Sequence, residues 1–256
     1  MTRFDQLFRQ PVWLLLGLGL LLPPLASTAW AEDDIDVTPP PGANRGAPTR
    51  QVDAGSRRAC GEFDPTETGY LTALIPGDER PPLTLETHPT FWAYVPLAAA
   101  DVASMQLSVR PVHGADIVTT DIAVPEALPG VVSLPMPELD AALEPDETYN
   151  WVLRVYCRNA NRPIPDFYVM GAVHRVESNA ALRQTLAQAD SAAEKVAVYQ
   201  QSGLWYEALT KLGRRYQMEP GNPAITAEWA TFLENLEIDW QTFNIEFDLT
   251  TQPIVE

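Results

Sequence analysis

Residues 90–95 read Thr-Phe-Trp-Ala-Tyr-Val, between Pro89 and Pro96. Successive side chains of an extended strand point to opposite faces, so Phe91, Ala93 and Val95 share one side and Thr90, Trp92 and Tyr94 the other. Both sides therefore carry large apolar groups. A strand in a free two-sheet stack needs only one buried face, so this one demands a second cover. Two readings follow for Phe91, Trp92 and Tyr94. They form a seam where a later part of the chain docks, or an aromatic platform open to a ligand.

The surrounding chain supplies the first layer. From Tyr70 to Val176, short apolar or alternating runs recur between proline, glycine and acidic turns: 71–75, 83–87, 90–95, 105–110, 116–124, 130–136, 148–157 and 167–176. About eight strands at this spacing, with no helical period between them, predict an antiparallel β-sandwich over residues 59–177. Leu143, Pro145 and Tyr149 have the Leu-x-Pro-x-x-x-Tyr form of a tyrosine corner, in which the phenol ties a core strand to the preceding loop. That motif resembles the corner of fibronectin type III and other immunoglobulin-like sandwiches.

After Glu177 the composition turns to Ala, Leu, Gln and Glu, which predicts helices over 178–238. The first spans about 179–189, with Ser178 as its N-cap. Ser191 and Glu194 form a capping box that opens the second, and Gly203 ends it. A third covers 204–217 and a fourth 224–237. Tyr199, Gly203, Trp205, Ala208, Leu212 and Pro220 fall at tetratricopeptide spacing. One copy is visible where a solenoid needs about three. The pattern therefore predicts a helical hairpin docked on the sandwich, with a repeat array completed by another chain as the alternative. Trp205 should pack inside the hairpin. Tyr206, about 100° round the helix, is left to face the sandwich or solvent.

The chain ends carry other signals. Arg3 and Arg9, an 11-residue apolar run at 12–22 and Ala29-Trp30-Ala31 have the order of a cleavable export signal, residues 1–31. The run is short of the roughly 20 residues a spanning helix needs, and the n-region before it lacks a twin arginine, so export of the unfolded chain is expected. An uncleaved anchor is the alternative. Residues 32–58, rich in Pro, Gly and Asp, read as a flexible linker or an arm over the domain, and 239–256 as an acidic tail.

Seventeen Lys and Arg face 34 Asp and Glu, a net charge of −17. Residues 1–31 hold two of those bases and one acid, so the mature chain would carry 15 against 33, or −18. Such a surface repels phosphate backbones and anionic headgroups, which argues against nucleic acid and against membrane attachment once the signal is removed. The two cysteines, Cys60 and Cys157, lie in the exported part, where two thiols are expected to pair. With His88, His113 and His174 scattered, they offer no metal-ligand spacing.

Arg45 to Pro48, Arg58 to Cys60, Leu71 to Pro76, Pro89 to Pro96, Pro129 to Ser133, Tyr149 to Cys157, Gly171 to Arg175 and Gly203 to Leu209 form an ordered string of blocks. Together these blocks resemble domain of unknown function family 928, over roughly 45–238. The resemblance implies a secreted or periplasmic cyanobacterial protein with no assigned activity and no catalytic residues. The family often has Asp where Glu207 stands.

No nucleophile elbow, zinc-protease helix, phosphate loop or calcium loop occurs in the sequence. Asp146 and Glu147 read as carboxylates solvating a turn, and His88 as an exposed strand end. His174, beside Arg175, reads as a solvated or hydrogen-bonded edge residue. Arg214 and Arg215 suit a helix C-terminus without needing a partner. The expectation is an exported, non-catalytic binding or interaction module of the cell envelope, without cofactor, whose partner is an envelope protein or glycan. The alternatives are a carbohydrate-active hydrolase using paired carboxylates from different loops, and a structural protein assembling through its hairpins.

Overall fold

A computed structural model describes residues 51–52, 60, 69–76, 80–126, 128–138, 141–158, 165–219 and 221–235. The expected export signal, most of the linker and the acidic tail lie outside the described residues.

Among the described residues, nine strands make two sheets. They are β1 (Gln51–Val52), β2 (Thr72–Ala73), β3 (Leu83–Thr84), β4 (Thr90–Val95), β5 (Val102–Pro111), β6 (Val118–Ile122), β7 (Gly130–Pro135), β8 (Thr148–Cys157) and β9 (Phe167–Arg175). One sheet runs β1-β9-β8-β5-β6 with β3 also on β9, and the other runs β2-β4-β7. Four helices follow: α1 (Ala180–Gln188), α2 (Ala192–Gln201), α3 (Trp205–Met218) and α4 (Pro223–Asn235). The chain is thus of the α+β class, with strands first and helices after. β3 pairs with β9 in parallel, at Leu83 opposite His174, so the larger sheet is mixed rather than wholly antiparallel. The pair Gln51–Val52, within the stretch expected as linker or arm, is antiparallel to β9.

The inner faces of the two sheets share one core. Phe91, Ala93 and Val95 of β4 meet Leu107 and Val109 of β5, Trp151 and Leu153 of β8 and Val169 of β9. Phe91 stacks on Trp151 with ring centroids 5.2 Å apart. The Trp151 indole lies over its cross-strand partner Gly171, where a Cβ would collide with the ring. Cys60 and Cys157 join in a disulfide at one end of this core, with a Cα–Cα distance of 5.1 Å. At the other end the Glu144 N–H donates to the Tyr149 phenol oxygen at 2.9 Å, the tie expected of the Leu143-Pro145-Tyr149 motif.

The outer face of β4 is covered by helices. Trp92 and Tyr94 pack with Leu74 and Val131 of their own sheet and with Ala208, Leu209 and Leu212 of α3 and Trp229 and Phe232 of α4. Trp92 is 0% exposed and Tyr94 4%. The Trp92 indole N–H donates to Thr210 Oγ1 at 3.2 Å. The fit depends on Gly213, because a Cβ there would fall on the Trp92 ring.

Helix starts follow local chemistry. Ser191 and Glu194 close the capping box of α2 reciprocally. Gly203, at φ 71°, supplies the left-handed residue that turns the chain from α2 into α3. The N-cap of α1 is Asn179, not Ser178. The Asn179 side chain accepts from the Leu182 N–H at 2.7 Å, while the Ser178 hydroxyl bonds the Asn179 carbonyl. Trp205 is half-buried and meets Phe232 edge to face at 5.1 Å, on the helical side of the seam. Arg215 does have a partner, forming a two-pronged ion pair with Glu228 of α4.

Gly213→Ala isolates the close approach. Alanine gains about 1 kcal/mol in helix propensity, but overpacking a buried indole costs about 1–3 kcal/mol. We expect a lower midpoint in chemical denaturation, whereas an exposed helix glycine given the same change would become more stable.

Candidate functional site

Two neighbouring residues of α3 do different things at the seam. Tyr206 enters the space between the sheets and is 2% exposed. Its phenol accepts from Trp151 Nε1–H at 2.9 Å and donates to the Ala172 carbonyl at 2.7 Å. Its ring meets Phe91 edge to face at 5.3 Å. Burial raises the phenol's pKa well beyond its usual range, so it stays protonated and keeps donating. This is a buried polar pin with its donor and acceptor both used, not an open contact surface.

Glu207 follows it and is 8% exposed. Its Oε1 accepts from Thr84 Oγ1–H at 2.8 Å and from the Leu85 N–H at 2.6 Å, tying α3 to β3. Oε2 is buried and has no hydrogen-bond partner among the described residues. Desolvation lifts the carboxyl to a pKa of about 7, against the pull of these donors. Sequence reading passed over Glu207 because one carboxylate in a helix looks solvated. The available signal was spacing: Glu207, Thr210, Lys211 and Arg214 stand at i, i+3, i+4 and i+7, a polar stripe beside the apolar stripe Tyr206, Leu209 and Gly213.

That polar stripe borders a cleft of about 750 Å³. Thr90 and Ser133 help floor it, and Thr120, Asp121, Pro137 and Glu138 line it away from α3. Thr90 and Pro135 are cross-strand partners, as are Trp92 and Ser133, so all four lie on the face of β4 and β7 turned toward the helices. The helices cover the Trp92 and Tyr94 part of that face, while Thr90, Ser133 and Pro135 border the cleft. Lys211 is held below its ordinary pKa by partial burial and then by the nearby charges of Lys195 and Arg214. Neither Lys211 nor Arg214 has an ion-pair partner among the described residues.

Of the other candidates, His88 is less exposed than expected and shares the cleft, and the rest lie elsewhere. His88 also lines the cleft, half-buried, with Nδ1 3.1 Å from the Thr87 hydroxyl. His174 is hydrogen-bonded, as one half of its expectation had it, but it is neither solvated nor at a sheet edge. It is 1% exposed, inserted between β3 and β8, with Nδ1 2.8 Å from Thr148 Oγ1, and desolvation lowers its pKa. Asp146 and Glu147 are exposed on their turn, where Asp146 takes φ 60° and the chain bonds back to Arg175. Among the described residues, no three His, Cys, Asp or Glu side chains gather to hold a metal, and no helix is long and apolar enough to cross a membrane.

A two-sheet, helix-covered α+β unit with a polar cleft at its seam is the class of protein that these features define. Residues 46–246 match the model of the family described as Domain of Unknown Function (DUF928), and the chain belongs to that family. No curated protein and no solved structure matches it.

The buried carboxyl sets a pH dependence. Its folded pKa, about 7, lies above its ordinary 4.5, so its stabilising effect is complete below pH 4.5 and is lost as pH rises through 7. The span corresponds to roughly 3 kcal/mol. His174 titrates with the opposite slope, so the observable is the difference between wild type and Glu207→Gln. In urea melts from pH 4.5 to 8, Glu207→Gln should gain on wild type as pH rises, and a constant difference would contradict the assignment.

Proposed function

We propose that the protein is an exported, non-catalytic binding module of the cell envelope and that the cleft beside α3 is its ligand site. The observation that carries this reading is the outer face of β4 and β7. Helices seal its aromatic part, while its hydroxyl-bearing part borders a cleft of about 750 Å³, within the usual range for small-molecule sites. Export is supported by the leader pattern of residues 1–31 and agrees with a disulfide between Cys60 and Cys157. The finer fold reading is an immunoglobulin-like sandwich with a single tetratricopeptide-like hairpin. Its supports are the Tyr149 tie to Glu144, the Gly203 turn and the buried Ala208 between the helices.

A second reading, a hydrolase with paired carboxylates, draws on one observation: Glu207, with its raised pKa, lines the same cleft as Asp121 and Glu138. Binding is favoured over catalysis because Glu207 Oε1 is held by two donors and Oε2 is covered, which leaves no oxygen free to pass a proton to a ligand. Filling the cleft tests the site. Thr120→Trp, at a partly exposed position of β6, should leave the melting temperature within a few degrees while abolishing capture of a glycan on an array of envelope polysaccharides. Retained capture would place the ligand elsewhere, and release of reducing ends from the glycan would favour the hydrolase.

A further inference from the structure

The chemistry lining the cleft is divided. Lys211 and Arg214 stand on α3, close enough for Arg214 to depress Lys211, and no described acid neutralises either. Four carboxyls also line the cleft: Asp121 of β6, Glu138 just past β7 and Glu86 just past β3, all exposed, and the buried Glu207, so the cations are gathered on α3 and the exposed acids on the other walls. In a chain with twice as many acids as bases, two unpaired cations at one cleft make a local site for an anionic group. Thr90, Thr120 and Thr210 add hydroxyls, and the carboxylates accept from hydroxyl donors.

We propose that the cleft binds an acidic saccharide, a sugar unit bearing a carboxylate, with the carboxylate on Lys211 and Arg214 and the sugar hydroxyls on Asp121, Glu138 and the threonines. The inference rests on the cleft being the ligand site. A guanidinium offers a carboxylate two parallel N–H donors, which Arg214 can supply. An extended peptide is the rival occupant. Peptides that add to a sheet need a free strand edge; Val131, Val132, Ser133 and Leu134 of β7 are 0–2% exposed and offer none, whereas β6 ends its sheet beside the cleft, so a peptide is one arm of the test.

The test is calorimetric titration of the exported chain with trigalacturonate, maltotriose and a zwitterionic tripeptide. Trigalacturonate should bind, maltotriose at least tenfold more weakly, and the tripeptide not at all. Lys211→Gln and Arg214→Gln should each weaken trigalacturonate by about tenfold with unchanged melting temperatures, and raised salt should weaken the wild type alone to a similar degree. Equal binding of maltotriose, or no binding of trigalacturonate, would overturn the acidic-sugar assignment. Tripeptide binding that Thr120→Trp abolishes would overturn it too, yet leave the cleft as the ligand site. Trigalacturonate binding untouched by Thr120→Trp, Lys211→Gln and Arg214→Gln would overturn both.

Discussion

Phe91 and Trp92 are adjacent on one strand, point in opposite directions and are both 0% exposed. That single constraint sets the architecture. Phe91 can be buried only by a second sheet, and Trp92 only by something on the other side of its own sheet. Among the described residues β7 pairs along the whole of β4 and β2 along only part of it; so narrow a sheet cannot shield an indole, and the helices are part of the fold and not an appendage. Residues such as Phe91 and Trp92 each contribute about 1.5–3 kcal/mol when fully buried, a large share of the stability of a domain this size.

The seam is held by polar groups as well as by apolar area. Tyr206 crosses from α3 into the core between the sheets and satisfies a buried indole N–H and a buried carbonyl. Burying either group unpartnered would cost about 1–3 kcal/mol, so the pin fixes the register of the helix against the strands as well as its position. Glu207, one residue on, is bonded to β3 but is costly as a charge in its buried site. A glutamine would accept the same Thr84 and Leu85 donors. The fold thus keeps an ionisable group at the edge of the cleft at a cost to stability above neutral pH.

Much of the layering was legible in the sequence because it depends on local periods. The alternation in 90–95 points to both covers, the capping box at Ser191 marks α2, and Tyr149 after Leu143-Pro145 marks the start of β8. The parallel pairing of β3 with β9 was not legible, because a two-residue strand has no period and its partner lies some 90 residues away. The hydrogen bond of His174 was foreseeable but its burial was not, for a related reason: it lies near the end of the last strand, and its pairing with β3 on the side away from β8 has no period to announce it. Ser178 and Asn179 are both good caps, and side-chain reach, not composition, selects Asn179. The cleft escaped because its walls come from β6, β7 and α3, and no short stretch contains more than one of them.

The central claim is that strands and helices form one cooperative unit locked through Trp92 and Tyr206. Equilibrium urea unfolding followed both by ellipticity at 222 nm, which reports the helices, and by near-ultraviolet tryptophan signals tests it most directly. The two curves should superimpose with one midpoint. Loss of the helical signal at a lower urea concentration, with the tryptophan environment of the sheets intact, would show that the helices are a separable appendage and contradict the account.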